Sequence, residues 1–428
     1  MTLGTSSTAR PLTESEIRGL MAEALGYLDL DGQRILVVIP DGTRTAPIPL
    51  MKKLLGELLD SRVDRIDYLV ALGTHPPMDD GALSRLLGTE VINGTAGAST
   101  IFNHRWERQE TFVTLGTVPA AEVAAASGGR FDIDIPVRLN RLVGEPDGSN
   151  PYDLIVVCGP VFPHEVAGFS GGNKYFIPGI AGEEIINITH WIGALVTSRA
   201  LIGVADTPVR RLIDRAASFI PTPTLLVAMV LEGESLHGLF IGEMEETWRA
   251  AANLSAELDI VWVDRPFDRV LSMVPEMYDD LWTGAKGMYK VEPAIADGGE
   301  VVIYAPHITE VSYVHGRWLD EIGYHVRDYF VEQWNRFEHV PWGVIAHSTH
   351  LCGDGTFVDG VERPRIRVTL ATGISPERCA RIGLGYLDPA NLDPEEWADR
   401  EHQGVLLLRR AGEVLYRWNE EARATGSP

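Results

Sequence analysis

Cysteine is scarce in this chain: Cys158, Cys352 and Cys379 are the only three in 428 residues, and no CxxC pair occurs. So few, so scattered, cannot make a disulfide framework, and their spacing argues against a thiolate zinc site. Long apolar runs are missing too. No stretch reaches the roughly 18 consecutive apolar residues of a membrane span. The opening residues, MTLGTSSTARPLTESEIRG, lack the apolar centre of a signal peptide. A soluble, cytoplasmic protein without membrane partners is the expectation. Positive charge is in short supply, with 37 Lys and Arg against 60 Asp and Glu, a net charge of −23. An acidic surface repels polyphosphate, which argues against a general affinity for nucleic acid or anionic membranes. A small anionic substrate remains compatible, because Arg44, Lys174 and Lys286 could supply local positive charge. Solenoid repeats and low-complexity tracts are absent as well.

What is present is ordinary globular composition, 45% apolar and 23% charged, in a chain long enough for two or three domains. Residues 1–12 read as a frayed leader. Thr13 with Glu16 reads as a capping box opening a helix toward Leu28. Buried-strand runs then alternate with helix-length segments: strands at 34–39, 66–72, 154–158 and 223–230, helices at 49–59, 80–87, 182–196 and 243–258. The strand-first pattern restarts at 269–274 and continues at 301–305, 343–346, 367–371 and 404–408. Alternation of this kind predicts an α/β fold with mainly parallel sheets. Two α/β domains are expected, 1–260 and 261–428, with an active-site cleft between them.

The reactive residues gather after the predicted strands, where α/β proteins place their sites. Asp41-Gly-Thr43-Arg44 follows the first strand and Gly73-Thr-His75 the second. Asn103-His104 lies among Arg105, Glu107 and Arg108 and reads as solvated. The densest cluster follows strand 154–158: His164, then Ser170-Gly171-Gly172, then Lys174, with His190 inside the next helix. The glycines allow close backbone approach, and the turn could offer N–H groups to a phosphate. It is not a Walker A loop, since no GK[ST] is present. In the second half, Trp282-Thr283-Gly-Ala-Lys286 offers an amine for a carboxylate. His347-x-x-His350, read as following a strand, has spacing that could chelate a metal.

The order and spacing of these clusters across roughly residues 35–320 resemble the nickel-pincer lactate racemase family, the hydroxyacid racemases and epimerases. The matching motifs are Asp41-x-Thr43-Arg44, Gly73-Thr-His75, and His164-x₃-Gly168-Phe-Ser-Gly-Gly-x-Lys174 with the step to His190. The resemblance implies a nickel-pincer pyridinium mononucleotide, covalent to Lys174 and made by cofactor-synthesis proteins, with His190 as a nickel ligand. It implies His75 and His164 as the acid/base pair, Arg44 and Lys286 on the substrate carboxylate, and Asp41 nearby. Thr43, Ser170, Gly171 and Gly172 would contribute to the cofactor site. Histidine suits both acid/base positions because its pKa of about 6.5 lets it serve in either form near neutrality. Thr283 and Trp282 stand where the family's lactate enzymes offer Gln and Tyr, so a 2-hydroxy acid other than lactate, and larger, is expected. Two alternatives remain open: a zinc-dependent hydrolase using some of His164, His190, His347 and His350, and a non-catalytic nucleotide-binding protein with structural histidines.

Overall fold

The computed structural model describes residues 2–412 and 414–419. Two compact units make up the chain. The first is formed by residues up to Phe162, Phe169–Ile186 and Arg210–Leu258, the second by Pro163–Gly168, Asn187–Val209 and residues from Asp259 onward. The sequence places all of 1–260 in one domain. The structure instead assigns 163–168 and 187–209 to the second unit, taking His164 and His190 with them.

The first unit is built on an eight-stranded sheet. In chain order its strands are β1 (Leu3–Ser6), β2 (Arg34–Ile39), β3 (Arg65–Val70), β4 (Thr95–Ala96), β5 (Ser99–Asn103), β6 (Leu154–Pro160), β7 (Thr224–Glu232) and β8 (Ser235–Gly242). Their order across the sheet is β1-β8-β7-β6-β2-β3-β5-β4. The five central strands are parallel, with Ile35 opposite both Ile66 and Leu154. The two edges are antiparallel. The unbroken apolar runs of β2 and β6 explain their central position, since a strand covered on both faces needs no polar side. Helix α1 (Glu14–Gly26) sets Ile17, Met21 and Leu25 on the sheet, and α2 (Ile48–Leu59) adds Met51, Leu54 and Leu55 to the same core. The capping box at Thr13 is present, with Glu16 returning to the Thr13 N–H. Residues 1–12 are not a frayed leader over their whole length. Leu3–Ser6 pairs antiparallel with β8, because the backbone edge of β8 is open there and takes a strand.

The second unit carries a five-stranded sheet of β9 (Phe267–Met273), β10 (Ile295–Ala305), β11 (Arg367–Thr372), β12 (Gly385–Tyr386) and β13 (Val405–Leu408), in the order β12-β11-β10-β9-β13. All of its pairings are parallel. The expected strand 343–346 is instead the start of helix α3 (Trp342–Cys352). Every residue from Val344 to Cys352 is buried, so the helix shows no polar face. A short apolar run of that kind cannot be told from a strand by periodicity.

Candidate active site

In the first unit the carboxyl ends of β2, β3 and β6 converge on one polar cluster. The chain leaves β2 into a turn at Asp41, whose buried carboxylate collects donors. Oδ1 accepts the Thr43 N–H at 3.1 Å and the Thr43 hydroxyl at 2.6 Å, while Oδ2 lies 2.5 Å from His75 Nδ1. Burial alone would raise this carboxyl. His75, Arg44 and Thr43 outweigh it and hold Asp41 well below the usual carboxylate range. With Nδ1 turned to a carboxylate, the His75 ring keeps its proton there and presents Nε2 with a free electron pair, the form a general base needs. The His75 loop is fixed on both sides. The Trp106 indole donates to the His75 carbonyl at 2.9 Å, and the Gly73 N–H donates to Gly179 O at 2.9 Å. Arg44 donates to the Thr43 hydroxyl at 3.0 Å and lies 5.8 Å from the Phe162 ring.

Lys174 sits on a single 3₁₀ turn, Gly172–Tyr175, at the same end of the sheet. It is partly exposed while Gly172, Asn173, Tyr175 and Phe176 around it are buried. Its neighbour Tyr175 packs its hydroxyl against Gly159 of β6, where a Cβ would come within 1.8 Å of it. Burial raises that phenol. Gly179, whose N–H donates to Lys174 O at 3.3 Å while its carbonyl accepts the Gly73 N–H, ties the Lys174 turn to the His75 loop. The turn before Lys174 has structural partners. The Ser170 hydroxyl accepts the Phe162 N–H at 2.9 Å and reaches Pro160 O at 3.2 Å. Gly171 and Gly172 have φ of 74° and 59°, and a Cβ on either would meet Val161 or Trp248. Buried Arg210 donates to Gly171 O at 3.2 Å and stacks over Trp248 at 4.0 Å.

The second unit holds the other candidates. His164 is buried; its Nδ1 accepts the Val166 N–H at 3.1 Å and lies 3.3 Å from Glu165 Oε2. His190 is half-buried between the buried Thr189 and Trp191. One turn before it, Asn187 Oδ1 accepts the Gly343 N–H at 2.9 Å, satisfying a donor at the start of α3. Trp191 stacks on Trp334 at 5.5 Å, and Arg327 donates to Leu195 O at 3.0 Å. The Asn187–Gly343 bond joins the His190 helix to the start of α3. Burial pushes His350 down to about 4 and His347 well below its ordinary value, with the His190 charge acting on both. The two α3 imidazoles are therefore neutral at physiological pH.

Trp282 has two imidazole neighbours, with ring centroids 4.1 Å away for His347 and 4.5 Å away for His315. Asp280 caps the helix that carries Thr283: its Oδ1 accepts the Thr283 N–H at 3.0 Å and the Thr283 hydroxyl at 2.9 Å. Lys286 is buried, with Nζ 4.3 Å from the centre of the Tyr278 ring. Among the described residues no three His, Cys, Asp or Glu side chains converge to hold a metal ion, so the zinc-hydrolase alternative finds no ligand set.

His104 differs from the expectation of a solvated residue. It is fully buried between Asn140 Nδ2, at 3.2 Å, and Ala181 O, at 3.4 Å, and burial lowers it to about 4. Its charged neighbours in sequence face water while the ring turns inward. Sequence reasoning missed Tyr175, Trp106, Glu165 and Asn187. Only the first and third carried a signal, as polar residues adjoining Lys174 and His164.

Residues 14–203 match the family described as the lactate racemase N-terminal domain. Lactate racemase from Thermoanaerobacterium thermosaccharolyticum is 25% identical over 68% of this chain, and that from Lactiplantibacillus plantarum 25% identical over 63%. Those matches span 64% and 59% of the two enzymes' lengths. A crystal structure of a protein from Thermotoga maritima superposes with a TM-score of 0.87 at 32% identity, covering 97% of this chain and 100% of that one. The lactate racemase apoprotein of Thermoanaerobacterium thermosaccharolyticum shares the fold, with a TM-score of 0.70 at 19% identity over 95% of this chain and 93% of its own.

Proposed function

We propose that this chain, whose residues 14–203 match the lactate racemase N-terminal domain, is an isomerase inverting C2 of a 2-hydroxy acid with the help of a nickel-pincer nucleotide. The observation that carries the reading is the Asp41–His75 pair at the carboxyl ends of β2 and β3, beside the turn that carries Lys174. A carboxylate 2.5 Å from Nδ1 prepares His75 to remove a hydroxyl proton.

The residues present fit the cofactor. Lys174 is a half-buried lysine in an otherwise largely buried segment, where a covalent anchor would stand. His190 is a half-buried imidazole on a helix braced at both ends, suited to donate one nitrogen to nickel. A pincer that brings its own sulfur and carbon donors asks the protein for no three-residue ligand set. When bound, the group would accept hydride from C2 and return it.

Around that chemistry the chain's own residues hold substrate and move protons. His75 takes the hydroxyl proton of one enantiomer at Nε2, and His164 serves the other. Arg44 and Lys286 bind the carboxylate through charge-assisted bonds. Thr283 is engaged with Asp280, and Trp282 is backed by two imidazoles, so neither reproduces an amide reaching toward a carboxylate. This supports a natural substrate other than lactate, and larger.

The test is the intact mass and nickel content of protein isolated from cells that make the cofactor. Wild type should carry an added mass of several hundred daltons with nickel. Lys174→Ala should fold and carry no covalent adduct, and an adduct that survives denaturation in that variant overturns the assignment. The loaded enzyme should racemise longer or polar 2-hydroxy acids with a higher kcat/KM than lactate.

A further inference from the structure

The two acid/base histidines are held differently at Nδ1. Asp41 faces His75 Nδ1 at 2.5 Å. At His164 two groups compete for the same nitrogen: the Val166 N–H at 3.1 Å and Glu165 Oε2 at 3.3 Å. The two partners select opposite states. An amide N–H can bond only a bare Nδ1, which leaves the neutral ring with its proton on Nε2. A carboxylate can accept only from a protonated Nδ1, which leaves Nε2 free to give or take a proton.

We propose that Glu165 is the positioning residue of His164, holding its Nδ1 proton during proton transfer, while the Val166 N–H holds the ring in its idle tautomer. The inference rests on the reading of His164 as an acid/base residue. In the acid step the Nε2 proton passes to the substrate oxygen and the N–H electron pair stays on nitrogen. The neutral ring keeps its other proton on Nδ1, facing Glu165. With Val166 as sole partner, the same step would leave an imidazolate.

The balance between the two states follows from burial. Val166 is 3% exposed, so releasing its N–H from Nδ1 leaves a buried donor unpaired. Against this stands the charge-assisted bond to Glu165, whose side chain is 15% exposed. The loop is fixed from behind: a Cβ on Gly193 would lie 3.0 Å from Val166 Cγ1, so the His190 helix holds the Val166 backbone in place. Another titratable group that meets this pair is His350, which feels the Glu165 charge; His190 in turn acts on His350.

Full-length protein without cofactor, labelled with ¹⁵N at histidine, reports the state of both ring nitrogens of His164, assigned by comparison with His164→Gln. In wild type near neutral pH an Nδ1–H population is expected at His164. Glu165→Leu should leave only the Nε2–H tautomer and lower the ring's protonation midpoint by about one pH unit, a tenfold loss of proton affinity. Glu165→Gln, whose amide oxygen still accepts, should keep the Nδ1–H tautomer but lose the same proton affinity. Identical tautomers and midpoints in wild type and Glu165→Leu overturn the proposal. Should the Leu variant fail to fold, an unchanged midpoint in Glu165→Gln overturns it. The measurement needs no nickel, so failure of the cofactor reading leaves its outcome intact.

Discussion

Asp41 shows how much one carboxylate can organise. It takes two donors from Thr43 and faces His75 Nδ1, so the base is oriented by a residue 34 positions away in sequence. Asp41→Asn keeps the shape and removes the charge. The amide can donate to Nδ1 and trap the wrong tautomer, with the proton on Nε2. Turnover of holoenzyme should fall by about 10²–10⁴-fold, the range for a lost general base, with folding unchanged. Far-ultraviolet circular dichroism beside steady-state kinetics checks this, and full activity in Asp41→Asn would remove Asp41 from the mechanism. Residues of this kind were only half legible in the sequence. Asp41 and His75 stand out because each follows an apolar strand run, but nothing in the chain announces that they touch. His104 was misread because its neighbours Arg105, Glu107 and Arg108 are charged, whereas the ring turns the other way into Asn140 and Ala181.

Among the elements, β2, β3, β6 and β7 and helices α1 and α2 are readable because each rule of local structure agrees with the next. The antiparallel β1 and β8 and the short β4 and β5 carry no comparable apolar run. The β2 and β6 runs are continuously apolar, and Thr13 and Glu16 make the capping box that their spacing predicts. Helix α3 failed that reading for a physical reason. It is buried on all sides and opens on Pro341, which provides no side-chain cap. Its missing cap comes instead from Asn187, on another helix. Asn187→Ala should remove one part-buried hydrogen bond to the Gly343 N–H and cost about 1 kcal/mol of stability. It should also loosen the join between the His190 helix and α3. Denaturant unfolding and nickel retention on dialysis read the two effects. A variant matching wild type in both would show that the cap is idle.

For the whole molecule, buried neutral imidazoles couple stability to pH. His104 in the first unit and His350 in the second are both lowered by burial to about 4, against about 6.5 in an unfolded chain. Between those values the unfolded state binds more protons, so stability falls as pH falls. The stabilising effect of neutrality is complete above about 6.5 and is lost by about 4, with an order of magnitude of about 3 kcal/mol for each residue. Thermal unfolding should therefore shift to lower temperature from pH 7.5 to pH 5. His104→Gln, which cannot charge, should show a shallower decline, and a decline equal to that of wild type would show that His104 does not contribute.

The assignment of residues 163–168 and 187–209 to the second unit also bears on how such a gene can change. A fragment ending at residue 258 would encode two pieces whose packing partners lie in the missing half, and the remainder would lack them. Recombination at that point would scramble both products. A gene split there would part the loop of His164 and the helix of His190 from the unit they pack in.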